Sequence, residues 1–346
     1  AFAVPAMAGD VSMSGEYGLG GWAESNGTDS SMMEHWLDLD VQVTEGDVTF
    51  SWRVELADTD LFTGLGIGAH DSPSWPGGDY PKGVFDNFNV KWQASDALAF
   101  KGGVYGISDN NALVFDSALY GSATMGIMYG LDVADLGFYL SKETDGDEDD
   151  DTVMAFTAAG ELGPAAVSLV YGSRTNDAGV TSNAEGSALY FDADFAAGPV
   201  GVNFAYGSES NDDSGLDGSA MILGLGLEEL VGFDLSMTAI ITDDEWQEGS
   251  VMGNDYGYAK IADGDEAADA MLIGFEAGYE VNDNLSLSAL AILMWEADGE
   301  DGPTEIDVAL AYSLADNVSY EAGYASLSEG DVGPSDASKL WHELVI

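Results

Sequence analysis

The feature that most constrains this chain is a two-residue alternation of apolar and polar side chains, interrupted only by turns. From Met33 the odd positions read Met33, His35, Leu37, Leu39, Val41 and Val43, and the even positions Glu34, Trp36, Asp38, Asp40 and Gln42. After Glu45-Gly46-Asp47 the rhythm resumes, with Val48, Phe50, Trp52, Val54 and Leu56 against Thr49, Ser51, Arg53 and Glu55. A period of two is that of a pleated strand, so this stretch reads as a hairpin with one apolar and one polar face. The unit recurs to the C terminus. Further short turns fall near Ser95-Asp96, Asp132–Asp135, Gly163-Pro164, Gly198-Pro199, Glu229–Gly232, Asn282–Asn284 and Asp316-Asn317. Between them lie longer, polar, acidic connections near 24–31, 57–83, 108–118, 143–152, 174–185, 209–218, 243–268, 297–303 and 328–337.

Eight short turns and nine long loops make seventeen connections and hence eighteen strands. A soluble sandwich buries its apolar faces against each other and gains nothing from having all connections short on one side. A closed barrel in a bilayer requires that asymmetry, and closure removes the unpaired strand edges that lipid would not tolerate. The expected fold is all-β: a closed antiparallel transmembrane β-barrel of about eighteen strands, apolar face to lipid and polar face to the lumen. The segments near 10–22 and 113–122 alternate least, so sixteen strands is the alternative. Aromatic residues near strand ends on the apolar face (Tyr171, Phe195, Tyr206, Phe233, Tyr279, Trp295, Tyr312 and Tyr324) are placed as interfacial girdles would be. Residues 10–346 form one barrel domain. Residues 1–9 read as the remnant of an export signal or an N-terminal extension, since the chain starts at Ala1 and carries the A-x-A patterns Ala1-Phe2-Ala3 and Ala6-Met7-Ala8.

Composition narrows the function. No stretch approaches the roughly 18–20 apolar residues of a membrane-spanning helix, and Leu285–Trp295 is interrupted by serines. With 63 acidic residues against 8 Lys plus Arg, the net charge of −55 repels nucleic acid. Such charge often marks disorder, but disordered chains lack the regularly placed aromatics seen here. There is no cysteine, so disulfide frameworks and thiolate metal sites are excluded. His35, His70 and His342 lie in unrelated segments without an H-x-x-x-H or H-E-x-x-H spacing, and no nucleophile stands beside a positioned base. The sequence marks no enzyme and requires no cofactor.

In its strand rhythm over essentially the whole length, and in segments such as Val90-Lys91-Trp92-Gln93-Ala94, the chain resembles the Gram-negative outer-membrane porins. That family usually ends in Phe or Trp, where this chain has Ile346. The resemblance implies a bacterial outer-membrane location and a homotrimer of barrels among lipid and lipopolysaccharide. Each barrel would be a water-filled channel for passive diffusion of small hydrophilic solutes and ions. A substrate-specific channel and a calcium-cross-linked surface β protein are the alternatives.

The scarcity of cations makes each one informative. Alternation puts Arg53, Lys91 and Lys101 on the lumen face of three successive strands, each about five residues from a short turn. The resemblance implies that such a basic ladder faces an acidic third loop across a constriction; here that loop carries Asp109 and Asp116. The other reading is that the three cations neutralise lumen carboxylates such as Asp38, Asp40 and Glu55. Polar phase also holds Glu34, Asp192 and Asp194. This acidic lining is expected to concentrate cations. Seven carboxylates crowd Glu143–Asp151, where Asp145, Asp147 and Asp149 could hold calcium or another divalent cation, and nine occupy Asp243–Asp269. Neither loop has EF-hand spacing, and a solvated acidic surface suited to high salt explains both equally well.

Overall fold

The alternation folds as its period dictates. In a computed structural model, eighteen antiparallel strands form one closed ring in sequence order. They are β1 Asp10–Ser25, β2 Asp29–Glu45, β3 Val48–Asp58, β4 Val84–Gln93, β5 Leu98–Val104, β6 Ala123–Gly130, β7 Ala134–Thr144, β8 Asp150–Leu162 and β9 Ala165–Thr175. The second half comprises β10 Gly186–Ala197, β11 Val200–Asn211, β12 Leu216–Leu230, β13 Phe233–Thr242, β14 Ala270–Asn282, β15 Leu285–Glu296, β16 Asp301–Ala315, β17 Val318–Ser328 and β18 Ala337–Val345. The structure describes residues 9–25, 29–58, 84–108, 110–111, 113–115, 123–144, 150–175, 185–212, 214–230, 232–246, 269–296, 301–328 and 337–346; at some strand residues, Glu34, Asp38 and Glu55 among them, it describes the backbone alone.

Closure runs through the first strand. β1 pairs with β2 from Asp10↔Thr44 to Ser25↔Asp29, and with β18 from Gly18↔Val345 to Ser25↔Ser338. Residues 10–16 therefore pair on one side only, which is the stagger that closing a tilted sheet demands. Tyr17 and Ile346 exchange backbone hydrogen bonds of 3.1 and 2.9 Å where the two ends of the barrel meet. The first and last strands both leave the ring on the short-turn side. The eight turns there span two to four residues, and Gly163 and Gly198 sit at φ 67° and 70°, which a side chain would strain.

Phase is shared around the ring, interrupted at register shifts such as that between Arg53 and Val54. Trp52 pairs with Val41 and Phe88, Phe156 with Phe138 and Tyr171, and Val308 with Ala289 and Tyr324, all on the outer face. Val48 and Phe50 share that phase, and Val54, opposite Leu39, has its side chain outside the described set. All eight expected girdle aromatics fall on the outer face. Near the short turns they join Trp92, stacked on Phe100 at 5.5 Å, and Phe233 meets Tyr279 at 4.8 Å.

The weakly alternating 10–22 segment is a full strand, as a count of eighteen requires, and 113–115 lies in the third long loop, with β6 running Ala123–Gly130. One feature differs from the sequence expectation: several connections are shorter. The gaps at 26–28, 145–149, 212–215 and 297–300 are brief because strands such as the 17-residue β2 run beyond the roughly 9–11 residues a bilayer crossing needs. A paired backbone remains satisfied above the membrane as well as within it.

Outward phase carries an energetic consequence. Val308→Lys, on the outer face well away from both strand ends, should cost about 2–4 kcal/mol, read as a lower denaturant midpoint for folding into lipid vesicles. Ser319→Lys, in the inner phase on β17, should leave that midpoint essentially unchanged.

Candidate functional site: the lumen and its third long loop

The inner face is not uniformly polar. From β8 round to β18 its outer half is buried and largely apolar, with Val153, Val170, Ile222, Ile240, Leu272 and Ile292 each 5% exposed or less, and it also takes in the buried Arg174, Glu209, Glu305 and Asp307. The third long loop, which follows β5, turns into the barrel and covers them. Leu113, Val114 and Phe115 are at most 2% exposed. A Cβ on Gly207 of β11 would come within 2.4 Å of Val114 and 3.1 Å of Leu113, so the loop lies directly on that glycine. Burying these three side chains stabilises the inward position by roughly 5 kcal/mol or more at about 1.5–3 kcal/mol each. Trp246, 2% exposed, closes the same core from the segment after β13, its backbone set on Gly218 of β12. There Ser219 Oγ donates to Asp243 Oδ2 at 2.6 Å, and the Asp217 amide to Glu245 Oε2 at 2.9 Å.

The lumen is therefore eccentric: a small core fills one side, and among the described residues the inner-phase Ser12, Ser14, Asp40, Gln42, Arg53 and Lys91 of β1–β4 stay exposed. The expectation of a wholly polar inner face is corrected here. Its sequence signal was present. Ile240-Ile241, Leu272-Ile273 and Ile292-Leu293 are adjacent apolar pairs in which alternation lapses, as it must where both faces of a strand are dry.

Polar contacts fix the tip of the loop. Asn110 Nδ2 donates to Asp192 Oδ2 at 3.0 Å and to Ser168 Oγ at 3.3 Å, and Ser168 Oγ donates to Asp192 Oδ1. Asn111 Nδ2 donates to the Tyr190 hydroxyl. Below the tip a recess of about 610 Å³ is lined by Asn110, Asn111, Asp194, Asn203, Ile222, Gly224 and Thr238. Inner-phase Gly224 faces it without a side chain, and Gly201 and Gly226 continue this bare strip toward the short turns, which holds that end of the lumen open.

Register places the expected basic residues in two groups. Lys91 and Lys101 are direct partners across β4 and β5. Arg53 pairs with Asn87, four residues beyond Thr49, the partner of Lys91, so it stands about 13 Å further along at ~3.3 Å per residue. The three share a wall but not a level. Lys101 is set by an aromatic base: its Nζ lies 3.9 Å from the Tyr105 ring centroid, and Tyr105 meets Tyr139 edge-on at 6.3 Å.

Asp109 and Asp116 lie outside the described residues, as do Asp145, Asp147 and Asp149. Across a ring of eighteen strands β4 and β5 face β13 and β14, whose inner phase carries Asp234, Ser236 and Glu276. Ser236 Oγ donates to Glu276 Oε2 at 3.3 Å. Among the described residues, the carboxylates opposite the lysine pair are thus on the wall. Asp40 lies opposite Arg53 and is exposed; Asp194 is exposed and accepts from Asn203 Nδ2 at 2.7 Å; Asp192 is buried. The backbones of Glu34, Asp38 and Glu55 are in inner phase, Asp38 pairing with both Glu16 and Glu55. Two inner-phase cations went unremarked in the sequence, Arg174 opposite Val153 and Lys339 opposite Ala325. Counting alternate positions from outward Tyr171 and Leu340 would have found both. No group of His, Asp or Glu among the described residues is arranged to hold a metal.

No family model and no curated protein matches the chain. Solved structures do. Pseudomonas aeruginosa OccK11 (OpdR) superposes with a TM-score of 0.70 at 12% identity, covering 97% of this chain and 95% of that one. OccK8 (OprE) of the same organism gives 0.69 at 13%, covering 97% and 98%. A BenF-like porin from Pseudomonas fluorescens Pf-5 gives 0.63 at 12%, covering 96% and 98%. The chain has the fold of these bacterial outer-membrane porins, a closed eighteen-stranded barrel.

The Gly207–loop contact can be tested directly. Gly207→Val should push Leu113 and Val114 off β11, which would alter the single-channel conductance measured in a planar bilayer. Gly102→Val, in outer phase on β5 with open space around its Cβ, should alter it far less.

Proposed function

We propose that the protein is a channel of the bacterial outer membrane through which small hydrophilic solutes and ions diffuse, with a preference for cations. One observation carries this reading: the ring is closed and apolar outside, while the described inner side chains of β1–β4 near the short turns are polar and charged. Ser14, Asp40, Gln42, Ser51, Arg53 and Asn89 line a recess of about 380 Å³ on that wall. Such a surface supplies water and ions with the hydrogen bonds and counter-charges they give up on leaving bulk solvent.

Cation preference rests on the lumen charge. Asp40, Asp194, Asp234, Glu276 and Glu321 are inner-phase carboxylates, and the lysine pair is confined to β4 and β5. Lys91 and Lys101 facing Asp234 and Glu276 would set up a transverse field in the passage, with Arg53 acting at another level. A substrate-selective channel is the second reading, supported by the third loop folding into the barrel, where Phe115 and Trp246 are buried in one core. The homotrimer, the contact with lipopolysaccharide and calcium held by Asp145, Asp147 and Asp149 remain proposals from sequence.

Planar-bilayer recording tests the main reading. The protein should give discrete conductance steps, and its reversal potential under a salt gradient should carry the sign of cation selectivity. Neutralising Arg53, Lys91 and Lys101 together should increase that selectivity and change conductance without unfolding the barrel. Absence of steps would overturn the channel, and anion selectivity would overturn the weighting of charges. Block by one solute class alone would favour the selective reading.

A further inference from the structure

Asp192 differs from every lumen carboxylate just described. It is 1% exposed, next to the dry core, with Tyr190 at 0% and Val170 at 5% around it, whereas Asp194 two residues along is open to the lumen. A carboxylate taken out of water is costly unless its oxygens are satisfied. Here one oxygen accepts from Ser168 and the other from Asn110. Ser168 lies on β9, directly opposite Asp192 on β10, so the wall supplies the acceptor together with one of its donors. The loop supplies the second donor. Removing either donor leaves a buried charge underpaired, and this makes the contact directional in a way that the packing of Val114 and Phe115 is not.

We infer that Asp192 is a positioning residue, a latch that holds the tip of the third loop in one place across the lumen, and that it does not belong to the ion-attracting lining. The inference rests on the channel reading for its consequence, a single quiet conductance level. Its geometry stands on the loop alone. Apolar contacts draw the loop inward and tolerate sliding. The Asn110–Asp192–Ser168 contacts, with Asn111 on Tyr190, select one seat.

Two readouts test it on the full-length protein. The chain contains no cysteine, so Ser108→Cys gives a unique spin-label site at the exposed base of the loop. The label should be immobile in the parent and mobile in Asp192→Ala. It should also be mobile in Asn110→Ala, which removes the loop's half of the contact at an exposed position and should still fold. The exchange Asn110→Asp with Asp192→Asn should restore immobility, because Asn at 192 can accept from Ser168 and donate to Asp at 110. A merely structural defect would not be rescued in this way. In bilayers the single replacements should raise the fraction of time off the main conductance level on the order of tenfold, the effect of losing one charge-assisted hydrogen bond. They should shift the reversal potential much less than Asp194→Asn does. The latch is overturned if the label stays immobile in both single variants, or if Asp192→Ala shifts selectivity as Asp194→Asn does with no new levels. A wild-type protein without current would refute the channel, and the spin label would still decide the latch.

Discussion

Everything in this molecule depends on the need to satisfy the backbone. Within lipid no water is available to an unpaired N–H or C=O, so a β-structure can cross only if its first and last strands find each other. β1 meets that need by pairing with β2 along its whole length and with β18 along part of it. The single-sided stretch of β1 is the stagger of a tilted ring. With the ring closed, every residue is committed to the outer or the inner face, and a polarity pattern that would be ambiguous in an open sheet becomes an assignment to lipid or lumen.

The interior then follows a second logic. A ring of eighteen strands is too wide for its own side chains to fill, so its open section is set by whatever else folds inside. Here the third loop and the segment at Trp246 cover apolar inner positions on β8–β18, and water is excluded from that side. Glycines make this possible: Gly207 and Gly218 admit Val114 and Trp246 to the wall, and further along the same strands Gly201, Gly224 and Gly226 keep the passage wide. The charged groups on β1–β5, and the carboxylates facing them from β13 and β14, lie along what remains open. Packing on one side and permeation on the other are two results of one placement.

Much of this was legible in the chain. Eighteen strands, their short turns and the outward phase of Trp52, Tyr171 and Tyr312 follow from a period of two, because in a strand the side-chain direction is set locally. Inner phase for Arg53, Lys91, Lys101, Asp40 and Asp194 follows in the same way. Other features were written less clearly. The lapses of alternation at Ile240-Ile241 and Ile292-Leu293 signalled a dry inner wall, yet they do not say what covers it. Residues 113–115 have the apolar character of a strand, and only their seat on Gly207 distinguishes them from one.

The sequence by itself thus determined which face each strand residue occupies, since alternation is a property of neighbours along the chain. Counting connections pointed to eighteen strands with sixteen as the alternative, and the pairing of β1 with both β2 and β18 decided for eighteen. Tertiary structure alone decided which residues share a level: strand register sets Lys91 against Lys101 and moves Arg53 some four residues away. It also decided that Asp192 is buried while Asp194, with the same phase and chemistry, is open. The difference between them is a loop about eighty residues distant in sequence, and contacts at that separation arise only once the barrel has closed around it.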